Sequence, residues 1–372
     1  MHHRGLLVCA AAALVGCSHE QPFETPDTGS DVPFLPGAPV RLTYNPGKDL
    51  RPAWSADGQS IFYAWEQLGQ PDRDRCLGEL PATGGSRLRV ICNPNPAYAD
   101  SNDVFDTPAP SPDGRFLYLR AVSPPTSPSV GPSTVSLGPV DNPLAATSLG
   151  TVPYTIPGGR THGGMTTPRW ASPTRLYYVG QSVVYARQAN GFPQDTLVGG
   201  LEIVEMDLSG AQPSRTVLPG SYGASSTALG DGRDTLYYTV NNDSRVYRIA
   251  LASGAVTVAH DFGGQGIARD VTVRGNRLVA VVGGEILYLD DPTLGQLQLD
   301  GGGLLISVNL DTGDEAVLPT DVPLLFRHPE FAPGTSPVRL VAEGFPPTPP
   351  PGPATWHQFV SRVPELYLFE AP

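Results

Sequence analysis

The chain is 372 residues long, with 36 acidic against 24 basic side chains and a formal net charge of −12. Lys48 is its only lysine. Without a lysine or arginine cluster there is no basic face to release counterions from nucleic acid, so nucleic acid is not an expected partner. Glycine (42) and proline (41) are abundant and charged residues make up only 16%, a balance that argues against long helices and for short strands joined by turns.

Residues 1–16 have the three parts of an export signal: a weakly positive start at Arg4, an apolar run from Leu6 to Val15, and small residues before a cut. The run is too short for a bilayer, which needs ~20 residues. Leu14-Val15-Gly16-Cys17 resembles the lipobox of bacterial lipoproteins, in which a diacylglycerol is attached to the cysteine thiol before cleavage. The competing reading is an ordinary secretory signal that contains Cys17. Lipidation implies membrane attachment through Cys17 rather than through a spanning helix. Ser18 follows the cysteine, and by resemblance to the sorting rule of enteric bacteria this implies the outer membrane, on its periplasmic face or at the cell surface. Residues 17–38, rich in proline and glycine, read as an extended tether from the lipidated Cys17.

Residues 39–372 carry a repeat. Arg51-Pro52-Ala53-Trp54-Ser55-Ala56-Asp57-Gly58 leads into Ser60–Ala64, Thr107–Gly114 into Arg115–Leu119, and Thr167–Pro173 into Arg175–Val179. Weaker copies follow: Ser226–Gly232 into Thr235–Thr239, Arg269–Asn276 into Arg277–Val281, and His328–Gly334 into Val338–Ala342. Each phrase reads as strand, tight turn, strand, because Asp-Gly tolerates the positive φ of a reversal. The second strands are nearly continuous apolar runs, as expected where both faces are covered. Leu201–Leu208, Arg245–Ile249 and Leu304–Leu310 read as third strands, each followed by a turn and a fourth. Glu365–Glu370 is a third strand with no fourth after it, and Pro39–Thr43 is available to complete that sheet and remove its edge. The expectation is an all-β, six-bladed propeller of four-stranded antiparallel blades, closed by the N-terminal strand.

After removal of Cys9 and lipidation of Cys17, Cys76 and Cys92 remain, with Gly84 midway between them. A hairpin turning there sets the thiols opposite each other, and an exported chain permits a disulfide. A redox or metal role for the pair is the alternative.

The Pro-x-Trp-Ser-x-Asp-Gly phrase resembles the WD40-like (PD40) repeat of TolB-type propellers, also found in prolyl-oligopeptidase-type peptidases. The resemblance runs from Pro39 to the C-terminus and is strongest in the first two copies. It implies a propeller fold. TolB has an α/β domain ahead of its propeller, where only the tether stands here, and the peptidases' Gly-x-Ser-x-Gly elbow is absent, so neither partners nor peptidase activity carry over.

Loops leading into the innermost strands of a propeller surround its channel mouth. In this register they hold Asp49, Arg51, Asp106, His162, Asp270, Arg327 and His328. No catalytic constellation, calcium loop, phosphate loop or cofactor fingerprint stands in the right context, so no catalytic residue, metal or cofactor is expected. His162 and His328 lack metal-ligand spacing, and loop hydrogen bonding is the competing reading. Two proline-rich insertions, Ser123–Pro143 and Pro346–Pro353, read as stiff loops. The leading functional reading is a binding or scaffolding module for a protein or glycan of the cell envelope. The rival is a metal-assisted polysaccharide lyase or hydrolase at the channel mouth, and a third reading, an assembly factor, rests on analogy alone.

Overall fold

The computed structural model describes residues 37–44, 47–67, 75–94, 102–121, 133–152, 154–155, 161–187, 193–196, 201–284, 286–291, 295–334, 336–347 and 363–370. Residues 1–16, Cys17 and most of the tether lie outside them. The described residues all belong to one unit, residues 35–372.

The chain opens with β1 (Val40–Arg41) and then builds its blades in order. Blade 1 is β2 (Gly47–Trp54), β3 (Ser60–Gln67), β4 (Arg75–Pro81) and β5 (Arg89–Ile91). Blade 2 is β6 (Val104–Pro110), β7 (Arg115–Ala121), β8 (Ser133–Pro139) and β9 (Thr147–Val152). Blade 3 holds β10 (Tyr154–Thr155), β11 (Thr161–Ser172), β12 (Arg175–Arg187), β13 (Pro193–Thr196), β14 (Leu201–Asp207) and β15 (Ser214–Val217). Blade 4 is β16 (Ala224–Leu229), β17 (Thr235–Val240), β18 (Arg245–Ala250) and β19 (Ala255–Asp261). Blade 5 runs β20 (Ala268–Arg274), β21 (Arg277–Val282), a side hairpin of β22 (Ile286–Asp291) and β23 (Gly295–Asp300), then β24 (Leu304–Asn309) and β25 (Glu315–Val317). Blade 6 is β26 (Leu325–Phe331), β27 (Arg339–Phe345) and β28 (Glu365–Glu370), with β1 as its outermost strand.

The architecture is the expected six-bladed propeller of antiparallel blades. β1 pairs with β28 through Val40↔Leu368 and Arg41↔Tyr367, and the Leu42 N–H donates to Leu366 O at 2.7 Å. That pairing ties the first blade's neighbour to the start of the chain and covers an edge that would otherwise be open. One expectation needs correcting. Ser133–Pro139, read as part of a proline-rich loop, is β8, the third strand of blade 2, because Ser-Thr-Val-Ser-Leu alternates as a strand once its flanking prolines are set aside. The repeat also concealed the long arms of β11 and β12 and the side hairpin β22–β23. The rest of the first proline-rich stretch and residues 348–353 of the second lie outside the described residues.

The second strands are buried on both faces as their composition demands: Ile61, Phe62, Tyr63 and Ala64 of β3 are shielded, as are Phe116, Leu117 and Tyr118 of β7. Each blade interface has its own apolar cluster. Phe62 and Leu77 meet Phe105, Phe116 and Tyr118 between blades 1 and 2. Leu117 and Val135 meet Leu176 and Tyr178 between blades 2 and 3. Ile203 meets Leu236 and Tyr238 between blades 3 and 4, and Val246 meets Val271 and Leu278 between blades 4 and 5. Val281 meets Phe326 and Leu340 between blades 5 and 6. Trp54 and Ile61 meet Val341 and Leu366 between blades 6 and 1. At ~1.5–3 kcal/mol per fully buried large side chain, these six seams supply the ring's cohesion.

The Ser-x-Asp-Gly turns form as read: Gly58 N–H donates to Ser55 O at 2.9 Å with Gly58 at φ 68°. Cys76 and Cys92 are joined in a disulfide, with Cα atoms 4.6 Å apart. The bond continues the β4–β5 ladder one step beyond Leu77↔Ile91, about the hairpin that turns at Gly84.

Candidate functional site

A single local device shapes the channel wall. In β2, β6, β11 and β26 the ladder skips at a residue followed by proline, and that residue is left-handed: Arg51 (φ 52°), Thr107 (53°), Thr167 (47°) and His328 (47°). Proline has no N–H to give the ladder, so the strand bulges there and turns the preceding side chain towards the axis. Strands β16 and β20 bulge at the matching place, at Ser225 and at Arg269-Asp270.

Polar groups of each blade satisfy the next blade's bulge, and the bonds close a belt. Arg51 N–H donates to Glu343, and Arg51 Nη1 donates to Thr107 Oγ1 at 2.9 Å. Thr107 Oγ1 reaches Met165 O at 3.4 Å, Thr227 Oγ1 donates to Thr167 O at 2.7 Å, and Val271 N–H donates to Ser226 Oγ at 3.3 Å. His328 N–H donates to Asp270 Oδ2 at 2.9 Å. Six blade-to-blade steps bring the belt back to its start, and they hold the bulges rigidly in place.

Charges lie along one arc of this belt. Lys48 Nζ stands 2.8 Å from Glu66, Glu66 is 3.1 Å from Arg75 Nε, and Arg75 Nη1 is 3.2 Å from Asp106. Asp106 in turn is 2.6 Å from Arg51 Nη1. Burial works to raise the Asp106 carboxyl's pKa, but the Arg51 and Arg75 cations, the Thr107 amide and His328 outweigh it and hold it below the usual range. On the blade 6 side Arg327 Nη2 lies 3.0 Å from Glu343 Oε2, at ion-pair distance without hydrogen-bond alignment. His328 Nδ1 is 3.4 Å from Asp270, and its Nε2 is 3.9 Å from Glu343. The opposite arc, at Thr167, Thr227 and Ser225, is neutral.

The bulged residues surround a cavity of about 480 Å³ on the axis. Two residues past the belt, Arg169 Nη1 of blade 3 meets Glu330 Oε2 of blade 6 at 2.5 Å. These blades are three apart in a ring of six, so the pair spans the channel and bars it. Trp54 Nε1 donates to Glu330 O at 2.9 Å, and Trp170 Nε1 donates to Ala109 O at 3.1 Å. Each repeat tryptophan thus pins its blade to the inner strand of the one before.

No protein-family model and no curated protein sequence matches this chain. Solved structures do resemble it. A calcium-binding protein, regucalcin, from Agrobacterium tumefaciens superposes with TM-score 0.54 at 13% identity, over 90% of this chain and 94% of that one. A gluconolactonase from Xanthomonas campestris gives 0.50 at 13%, over 90% and 89%. TolB from Acinetobacter baumannii gives 0.49 at 14%, over 85% of this chain and 64% of its own. The likeness is one of fold. At such identities the propeller is shared, and this chain spans less than two thirds of that TolB.

The residues expected at the propeller's mouth divide accordingly. Arg51 with Asp106, and Asp270 with Arg327 and His328, come together as one linked arc. Asp49 is fully buried in β2, its N–H donating to Pro364 O, and does not face the cavity. His162 lies on the arm of β11, paired with Tyr154 and Ser182, and its side chain falls outside the described residues. Contrary to expectation, none of the seven sits in a loop: all lie within strands, and at Arg51 and His328 the X-Pro bulge lets the ladder resume on either side of the kink. Glu343 and Glu66 escaped the sequence reading, although each is a lone acid inside an apolar second strand, which is a readable sign of a buried polar partner. Among the described residues no group of three or more metal-ligating side chains converges. Cys17 lies outside the described residues.

Proposed function

We propose that this chain is a lipid-anchored cell-envelope protein that binds a protein or glycan partner at the mouth of its propeller channel. The observation that carries the reading is the belt itself. Fixed, left-handed strand residues from opposed blades converge on one cavity, with mixed donors and charges at its rim, and such a preorganised concave site suits recognition. The anchor rests on Leu14-Val15-Gly16-Cys17 and the export-like run before it. No helix among the described residues is long and apolar enough to cross a membrane. A lipid on Cys17 places the protein at the outer membrane in this reading, with the tether holding the propeller clear of it.

Two measurements test the proposal. The full chain, expressed in a Gram-negative host with labelled fatty acid, should incorporate label and fractionate with the outer membrane, while Cys17→Ala should do neither. Soluble protein from residue 18 onward, immobilised, should capture one saturable component of an envelope extract, with capture weakened by Arg51→Met and unchanged by a substitution on the far rim such as Val256→Thr. Capture indifferent to Arg51 would remove the channel mouth from the reading.

A further inference from the structure

The charges at the upper end of the cavity are sorted by depth. The carboxylates are withdrawn, with side-chain exposures of 1% for Glu343 and 10% for Asp270, while Arg51 and His328 stand forward at 35% and 28%. Asp270, the carboxylate that lines this end, is already committed to the main-chain N–H of His328 at 2.9 Å and to its Nδ1 at 3.4 Å. Arg51 uses only Nη1 on its neighbours, Asp106 and Thr107. Nε and Nη2, one whole edge of the guanidinium fork, have no partner among the described residues. A planar pair of N–H donors beside an imidazole is matched by a carboxylate, which can take both arginine hydrogens at once.

Building on the reading of the mouth as a binding face, we propose that this end of the channel receives the C-terminal carboxylate of an extended polypeptide. The channel's shape selects a chain end. Arg169 and Glu330 meet across the axis two residues below the belt and stand in the way of a segment that has passed Arg51. Of the two ends of a peptide, the forward Arg51 guanidinium rejects the ammonium and accepts the carboxylate. The walls select a peptide over an acidic sugar. Around Arg51 and His328 they are Pro52, Pro108, Pro168 and Pro329 with threonine hydroxyls, and among the described residues offer no aromatic platform there. The two tryptophans that line the cavity lie beyond the belt and have their indole N–H groups engaged with Glu330 O and Ala109 O. The net charge of −12 disfavours an anion at long range, so recognition acts at contact rather than by steering.

The test uses soluble chain from residue 18 onward with its disulfide formed, and four probes: acetyl-tetraalanine with a free carboxylate, the same peptide as carboxamide, acetate, and glucuronate. Arginine side-chain Nε–H resonances are followed by nitrogen-15 NMR, with the Arg51 signal assigned by its loss in Arg51→Lys. The free-acid peptide should move that signal saturably and bind at least tenfold more tightly than the carboxamide, and more tightly than acetate or glucuronate. Because the decisive comparison is between two ligands on one protein, it does not depend on a variant folding. Equal affinity of acid and amide, or acetate as strong as the peptide, overturns the proposal. Tighter binding of glucuronate also overturns it but leaves the mouth as the binding face. If no probe moves the Arg51 signal and capture from envelope extract ignores Arg51→Met, both readings fall.

Discussion

Arg169 of blade 3 and Glu330 of blade 6 meet across the channel at 2.5 Å, each less than a quarter exposed. The arginine is further fixed by Nε donating to Thr227 O at 2.9 Å. The pair therefore links opposite walls of the ring. Removing one partner strands a half-buried charge, so Glu330→Gln should cost about 1–3 kcal/mol. A double-mutant cycle with Arg169→Met should return a coupling of about 1–2 kcal/mol by urea unfolding. Coupling within error of zero would show that the pair does not hold the walls together.

The repeat tryptophan does two separable jobs. Trp54 is buried between blades 1 and 6, beneath the Arg339 guanidinium at 5.2 Å, and its indole N–H caps Glu330 O. Trp54→Phe keeps the ring and loses the bond, and should cost about 1 kcal/mol. Trp54→Ala should cost about 3–5 kcal/mol because it also opens a cavity. Trp170→Phe should match Trp54→Phe, since it repeats the same bond two blade-steps further on, to Ala109 O. Urea midpoints of the three variants decide it. A Trp54→Phe loss as large as that of Trp54→Ala would assign the energy to the hydrogen bond and not to the packing.

The blades were readable from the sequence because each second strand is a run such as Ile61-Phe62-Tyr63-Ala64, and only a sheet covered on both faces buries such a run. The closure was readable because Glu365–Glu370 lacked a partner and Val40-Arg41 supplied one. The site was legible only in part. Arg51, Thr107, Thr167 and His328 each precede a proline, so the bulge was written in the sequence, but its effect depends on a positive φ that pattern alone does not reveal. Which acid answers which cation was not legible, since Arg51 and Glu343 are 292 positions apart and meet only once the ring closes. Arg169 and Glu330, 161 apart, needed both the blade count and the register.

Gly78 is a packing glycine. A Cβ there would stand 2.4 Å from the Tyr63 ring, which lies across its backbone on the neighbouring strand. Gly78→Ala should therefore lower stability by about 1–3 kcal/mol, despite alanine's smaller backbone entropy cost. In a Tyr63→Ala background the same change should be neutral or favourable. Thermal unfolding of the four proteins checks this, and an equal loss in both backgrounds would move the cause away from the ring.

Asp106 makes acid stability depend on the channel arc. Its carboxyl is held below the ordinary 3.8, with burial opposing and the Arg51 and Arg75 cations prevailing. The folded protein therefore binds fewer protons than the unfolded chain as pH falls past that value. The contribution is complete above about pH 4 and fades as pH drops through the lowered pKa. Asp106→Asn should be less stable at neutral pH and should show a flatter loss below about pH 4. Parallel acid limbs in urea midpoints from pH 2.5 to 7 would contradict this.

Glu365, at the closure, should behave with the opposite sign. Burial raises its pKa above the ordinary 4.5, although Thr43, Arg41 and Asp49 all favour the charged form. Thr43 Oγ1 donates to Glu365 Oε2 at 2.7 Å, and Arg41 Nη2 lies 2.5 Å from Oε1, so the residue fastens β1 to β28 in either state. Here the folded protein holds its proton more tightly than the unfolded chain. The carboxyl's contribution is full below about pH 4 and declines as pH rises through the raised pKa. Glu365→Gln, which mimics the neutral acid, should match the wild type at acid pH and gain on it as pH rises to 7. A wild type that gains on the variant over that range would mean that the Arg41 ion pair, not burial, governs how the ring is fastened.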